Sequence, residues 1–465
     1  MGKRKKSTFA LIVMASLCLL SCGGGGSFVT PPPPPPPTSK WTWLNGANVV
    51  NQHGTYGIQG TAAPGNVPGA GVAAAHSTDA SGNFWLFGGD RYDSTGAIGN
   101  INDLWNYSAG QWTWMSGSNV VNQPAVYGIQ GTAAPGNVPS ARSFASSWTD
   151  ASGNFWLFGG SLDPLGVGLF LNDLWKYSAG QWTWMGGSNL PNQPGTYGTL
   201  GTAAPGNVPG VRGNAVTWTD SSGDVWLFGG KGMDSTGTAY GFLNDLWKYS
   251  AGQWTWMGGS NLINQPGIYG TQGTASPSNV PGARFYAASW ADASGNLWLF
   301  GGDGYDSTGN IGVLNDLWKY SAGQWTWMGG STLVSQKGTY GTLGTAAAGN
   351  IPGARYAAFS WTDVAGNFWL FGGSGYDSTG TNLNNLNDLW KYSAGQWTWV
   401  AGSNVANQSG VYGTQGTAAS SNVPGARYYG ASWSDKSGNL FLFGGYGNDS
   451  AGTTGALNDL WKYGQ

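Results

Sequence analysis

Three observations predict an all-β fold, a six-bladed β-propeller of four-stranded blades. The triplet Trp-Thr-Trp begins at Trp41, Trp112, Trp182, Trp254, Trp325 and Trp397, at intervals of 71, 70, 72, 71 and 72 residues. Phe-Gly-Gly begins at Phe87, Phe158, Phe228, Phe300, Phe371 and Phe443. Asn-Asp-Leu-Trp ends at Trp105, Trp175, Trp247, Trp318, Trp390 and Trp461, on the same pitch. A repeat of this kind is one supersecondary unit that buries its apolar face only against its neighbours. The composition agrees. The 82 glycines among 465 residues disfavour helix interiors and supply turns, and 28 tryptophans argue against disorder.

Each unit reads as four short antiparallel strands, a to d. In the second unit, strand a is Arg142 to Thr149. It is followed by the turn Asp150 to Asn154, in which Gly153 supplies the positive φ of a tight hairpin. Strand b runs from Phe155 to Phe158 and is ended by Gly159-Gly160. Strand c is Leu171 to Tyr177, and strand d is Trp182 to Met185 after the turn Ser178 to Gln181. Four-stranded units repeated at such a pitch are propeller blades. The chain starts on a d strand, Trp41 to Leu44, and stops after a c strand, Leu457 to Tyr463. Pairing first with last completes the C-terminal blade, closes the ring and hides both edges. The expected organisation is a signal peptide over 1–21, a tether over 22–40 and the propeller over 41–465.

Within a unit, an arginine leads strand a, Gly-Gly follows strand b, and a strand-c tyrosine precedes a tryptophan by seven residues. Tyr107 and Trp114, Tyr177 and Trp184, and Tyr463 with Trp43 across the termini have that relation. This pattern resembles the kelch repeat, over Trp41 to the C-terminus and with a longer pitch, and implies a propeller like the central domain of galactose oxidase. Every tryptophan sits at a repeated position: twelve in the triplets, six in strand c, and five each in strands a and b. Burying one removes roughly 150–250 Å² from water. The repetition therefore reads as packing between blades rather than as sugar binding.

The N-terminus carries an address. Lys3, Arg4, Lys5 and Lys6 precede an apolar run over residues 8–20, too short to span a bilayer comfortably. Leu19-Leu20-Ser21-Cys22 resembles a bacterial lipobox, which implies export, lipidation of Cys22 and anchoring to the cell envelope, in the outer membrane or facing the periplasm. Glycines 23–26 and prolines 31–37 then form a flexible and a stiff segment of tether. Membrane contact is expected through the lipid alone. Cys18 and Cys22 are the only cysteines, so the propeller has no thiol chemistry.

All 21 acidic residues are aspartate. Without the four basic residues of the leader, 15 basic residues face those 21, a net charge of −6. Nucleic acid is not an expected partner. The b–c and d–a loops are long and share one face, where recognition belongs. The d–a loops are near copies, which reads as structure or as a sixfold multivalent surface. The b–c loops differ from blade to blade, over 90–100, 161–170, 231–242, 303–313, 374–385 and 446–456, and specificity is placed there.

Arg142, Arg212, Arg284, Arg355 and Arg427 open strand a, where the first unit has Gly71. They are the candidate binding residues, a cationic mouth suited to carboxylates. The alternative pairs each with an aspartate of Asn-Asp-Leu-Trp: Asp103, Asp173, Asp245, Asp316, Asp388 or Asp459. The Asp-Ser-Thr-Gly loops at Asp93, Asp234, Asp306 and Asp377 suit Ca²⁺ or simple Asx turns. With His53 and His76 as the only histidines and no propeller cysteine, the copper site implied by the galactose-oxidase resemblance is not expected, nor is another metal or cofactor. The hairpin Asp-Ala-Ser-Gly-Asn-Phe-Trp misses the sialidase aspartate box by one position. The expectation is a monomeric, non-enzymatic envelope protein that binds carbohydrate or protein on its loop face. The alternatives are a periplasmic sugar epimerase or mutarotase-like enzyme using the arginine mouth, and a structural envelope protein.

Overall fold

The computed structural model describes residues 39–464; the expected signal peptide, Cys22 and all but the last two residues of the expected tether lie outside them. A compact unit begins at Ser39, and its first strand is Lys40–Asn45. All regular structure among the described residues is β. The antiparallel sheets form six blades, the first of them divided into an inner and an outer piece. The last blade pairs Lys40–Asn45 with Thr454–Gly464, so the first strand is the fourth of the sixth blade. Ring closure follows the sequence reading.

The register of strands c and d departs from the kelch-like spacing. Tyr177 opposes Trp182, and Trp175 opposes Trp184, because the turn between Ser178 and Gln181 sets the pairing. At the seam, Tyr463 likewise opposes Trp41, and Trp43 opposes Trp461.

In blades 2 to 6 Gly-Gly does not end strand b. In blade 3 the strand runs Val225–Met233 through a register shift between Phe228 and Gly230, and its partner runs Tyr240–Ser250. Gly229 and Gly230 have φ of 66° and 98°, and a Cβ on Gly229 would lie 2.7 Å from the Arg284 carbonyl oxygen of the next blade. The pair is a bulge that lets adjacent blades touch, and strand b continues to the loop face. Strand a is interrupted instead. In blade 3 it is Arg212–Gly213 and Val216–Thr219, with Asn214 at φ 59° between them.

The core lies between blades, as the repeated aromatics imply. Phe84, Trp105 and Trp112 of blade 1 pack with Trp433, Phe441 and Phe443 of blade 6, and Phe84 stacks on Trp433 at 3.8 Å. The d–a loops cover the outermost strands. Gly60 N–H donates to the Trp114 carbonyl at 2.7 Å, and the Asn66 amide to the Trp112 carbonyl at 3.1 Å. Gly416 and Asn422 bind Trp43 and Trp41 in the same way, which locks the N-terminal strand from its outer side. These loops repeat because each seals an edge that would otherwise offer unpaired backbone groups.

Candidate functional site

The five predicted binding arginines are not at the mouth surface. Arg142, Arg212, Arg284, Arg355 and Arg427 are each no more than 1% exposed. Arg284 is typical: Nη1 and Nη2 donate to Asp316 Oδ1 and Oδ2 at 2.6 and 2.7 Å, and Nε donates to the Gly282 carbonyl at 2.9 Å. The Tyr269 hydroxyl and Trp318 Nε1 also donate to Asp316 Oδ2, each at 2.7 Å. Burial works against the Arg284 charge, but the Asp316 carboxylate outweighs it and raises the guanidinium's pKa. A charge enclosed this way is satisfied and has nothing left to offer a ligand. The pairing alternative describes these residues, and the cationic mouth is withdrawn.

Blade 1 keeps the network with its parts exchanged. Gly71 pairs with Arg91, and Arg91 Nη2 reaches Asp103 Oδ1 from strand b instead of strand a. Blade 4 has the reverse, Arg284 opposite Gly304. A Cβ on Gly71 would fall 2.0 Å from Arg91 Cγ, so this site does not hold a side chain beside Arg91 without a shift. Blades 3 to 6 place glycine opposite the strand-a arginine, and blade 2 places Leu162 there. The exchange is imperfect, because Arg91 Nε and Nη1 are buried without partners.

A second ring closes the channel. Ala73, Phe144, Asn214, Tyr286, Ala357 and Tyr429 occupy the break in strand a, all at φ between 53° and 64°. Each N–H donates to the carbonyl of the preceding blade's residue, from Phe144 to Ala73 at 2.9 Å round to Ala73 to Tyr429 at 3.0 Å. Small and large side chains alternate, so aromatics arrive from every second blade: Phe144 lies 5.9 Å from Tyr286, which lies 4.6 Å from Tyr429. Burial raises both tyrosine pKa values well above the usual range. Beneath this plug is a cavity of about 380 Å³ walled by strand a of every blade. Its hydroxyls join neighbouring blades: Ser147 donates to the His76 carbonyl at 2.9 Å and Thr217 to the Ser147 carbonyl at 3.1 Å.

Above the plug the blades stop being copies. The residue after the strand-a arginine position is Val72, Ser143, Gly213, Phe285, Tyr356 or Tyr428. Opposite these on strand b are Asp90, Ser161, Lys231, Asp303, Ser374 and Tyr446. Blades 3 to 6 supply a continuous aromatic arc. Phe242 lies 4.6 Å from Phe285, Tyr286 5.9 Å from Tyr356, Tyr356 6.1 Å from Tyr428, and Tyr428 5.8 Å from Tyr446. Asp90 and Asp303 stand on the same level, and burial pushes both carboxyls up, with Lys231 offsetting part of the rise at Asp303. The b–c segments chosen from sequence contain the strand-b half of this ring. Phe285, Tyr356 and Tyr428 were missed. Their signal was present in the sequence, as a position that takes five residue types in six units beside an arginine kept in five of them.

The Asp-Ser-Thr-Gly loops form Asx turns. Asp93 Oδ1 accepts from Thr95 N–H and Oγ1–H at 2.8 and 2.7 Å, and Oδ2 from Val121 N–H at 3.2 Å. Burial opposes the Asp93 charge, yet these donors hold its carboxyl below the ordinary range. Both Asp93 oxygens thus serve the turn and the neighbouring d–a loop. Among the described residues no three His, Cys, Asp or Glu side chains converge to hold a metal ion.

Charge separates by face. The loop face carries Asp90, Asp93, Asp163, Asp234, Asp303, Asp306, Asp377 and Asp449 against Lys231 and Lys337. The opposite face has seven aspartates and seven lysines, and the remaining six aspartates pair with the six arginines. The net −6 of the propeller therefore belongs to the loop face.

These features define a closed, plugged propeller with an acidic loop face and an aromatic mouth. No family model and no curated protein matches the chain. It is similar in structure to YjhT, at a TM-score of 0.47 and 13% identity over 85% of this chain and 95% of that one. It is also similar to a fungal alcohol oxidase of the AA5 family in complex with copper, at a TM-score of 0.42 and 15% identity over 84% and 62%.

Proposed function

We propose that the protein is a non-enzymatic binding protein of the cell envelope whose loop-face mouth holds a neutral or amino-bearing carbohydrate. One observation carries this reading. In a chain of near-identical blades, variation gathers in one ring, where half-buried aromatic rings adjoin carboxylates that burial has left poorly satisfied. Aromatic faces pack against the apolar face of a sugar while nearby polar groups fix its hydroxyls. The acidic face and the enclosed arginines disfavour an acidic sugar, and with it the epimerase alternative built on an arginine mouth. In this reading Cys22 is lipidated, the tether carries the propeller clear of the membrane, and the protein works as a monomer without cofactor.

The test is calorimetric titration of the full-length lipoprotein in detergent with neutral, amino and acidic oligosaccharides. Heat from a neutral or amino sugar, lost at least tenfold in the Y356A/Y428A variant, supports the proposal. Binding only to acidic sugars, or binding indifferent to that variant, would falsify it. Loss of radiolabelled palmitate incorporation in Cys22→Ser tests the anchor.

A further inference from the structure

Blade 2 differs from the other five at its rim. In those blades the b–c aspartate reaches across to the d–a loop: Asp93 accepts from Val121 N–H at 3.2 Å, Asp234 from Ile263 at 3.1 Å, and Asp377 from Ala406 at 3.0 Å. The serine after it donates to the loop as well, as Ser94 Oγ does to the Asn119 carbonyl at 2.9 Å. Blade 2 has lost both partners. Its loop reads Leu162-Asp163-Pro164-Leu165-Gly166-Val167-Gly168-Leu169, and Asp163 accepts only from its own turn, at Leu165 and Val167 N–H. The matching d–a residue is Pro191, which has no N–H to give. The Asn189 carbonyl, counterpart of Asn119, receives no donor.

The missing lock leaves a cavity of about 370 Å³, with Pro124, Ala125, Tyr127, Leu162 and Pro191 as apolar lining and Asn189 at its edge. The b–c loop that supplies Leu162 also exposes Leu165, Val167 and Leu169, at 77%, 60% and 47%. The b–c loops of blades 1, 4 and 5 expose one large aliphatic side chain each, Ile98, Ile311 and Leu383, where blade 2 exposes three. The loss of the donor and of the reach across to it, a cavity, and three exposed aliphatic side chains in the one b–c loop beside it point to an interface.

We propose that blade 2 is a docking site for a basic protein segment that buries one large apolar side chain in this cavity. Charge selects the occupant. The loop face as a whole carries eight aspartates, five of them buried in turns, against two lysines, so its net negative field attracts flanking lysines or arginines and repels a second copy of the same face. The vacated Asn189 carbonyl suits a peptide N–H, which an acyl chain lacks.

The probe is a pair of fluorescent peptides, one with phenylalanine flanked by two lysines on each side and one with glutamates in their place, titrated by anisotropy into the full-length protein. The basic peptide is expected to bind at least tenfold more tightly. Ala125→Trp, which fills the cavity, and the exposed double change L165S/V167S are each expected to weaken it at least tenfold with the unfolding midpoint unchanged. Y356A/Y428A is expected to leave it untouched, which separates this site from the mouth. Equal binding of both peptides, indifference to Ala125→Trp, displacement by a fatty acid, or a self-dimer abolished by L165S/V167S would each overturn the proposal.

Discussion

Blades 1 and 2 both break the pattern of blades 3 to 6, and they do so in opposite ways. In blade 1 the arginine has moved from strand a to strand b, a glycine has moved the other way, and Asp103 still receives Arg91, Tyr56 and Trp105. In blade 2 the arginine network is intact, but the loop aspartate, Asp163, bonds only within its own turn and Pro191 stands where its N–H partner would be. A departure that is compensated marks what the ring needs in order to stand. One that is left open, with exposed leucines around it, marks a place where stability was not the constraint.

The compensated network should dominate stability. Removing strand Lys40–Asn45 unpairs Thr454–Gly464 and opens the ring, so the truncated chain is expected to show no cooperative unfolding transition by circular dichroism. Next in size is Arg284→Ala, which leaves Asp316 buried without its counter-charge. Breaking a buried pair costs about 3–5 kcal/mol, read as a lowered denaturant midpoint. Arg91→Gly should cost somewhat less, because two of its nitrogens are already unpartnered. Adding Gly71→Arg to it rebuilds the arrangement of blade 4, and the double variant is expected to regain at least wild-type stability. A double variant weaker than Arg91→Gly alone would show that the two strands are not interchangeable.

Much of this was legible in the sequence. Trp-Thr-Trp, Phe-Gly-Gly and Asn-Asp-Leu-Trp are long-range markers, and their count and order gave blade number and ring closure without any geometry. The Gly-Gly pair was misread as a strand end because glycine signals a bulge and a stop alike, and only the close approach of the Arg284 carbonyl to Gly229 separates them. The arginines were left between two readings for a related reason, and the pairing with aspartate is the one found. Sequence gives a side chain its charge but not its depth, and both readings of Arg142 to Arg427 were consistent with their spacing. The plug was illegible, since Phe144, Tyr286 and Tyr429 share no neighbouring residues that announce positive φ.

The smallest effects separate scaffold aspartates from mouth aspartates by the sign of their pH dependence. Burial opposes charge on Asp234, but Thr236 and the N–H groups around it hold its carboxyl below the ordinary range. Its contribution is present above the unfolded value, about 3.9, and is lost as pH falls through the folded value. Asp234→Ala should therefore cost about 1 kcal/mol at pH 7 and nothing in strong acid, where the wild type has lost the same interactions. Asp303 behaves in reverse. Burial raises its carboxyl more than Lys231 lowers it, so the charged form opposes folding, and acidification toward pH 4 relieves it. Asp303→Asn is expected to stabilise the protein at pH 7, within the about 0.5–2 kcal/mol typical of single favourable substitutions. The gain should shrink as pH approaches 4. A carboxylate kept at a cost to stability fits the binding role proposed for the mouth. Loss of stability in Asp303→Asn would mean instead that the group belongs to the scaffold, and the mouth would then rest on its aromatic arc and Asp90.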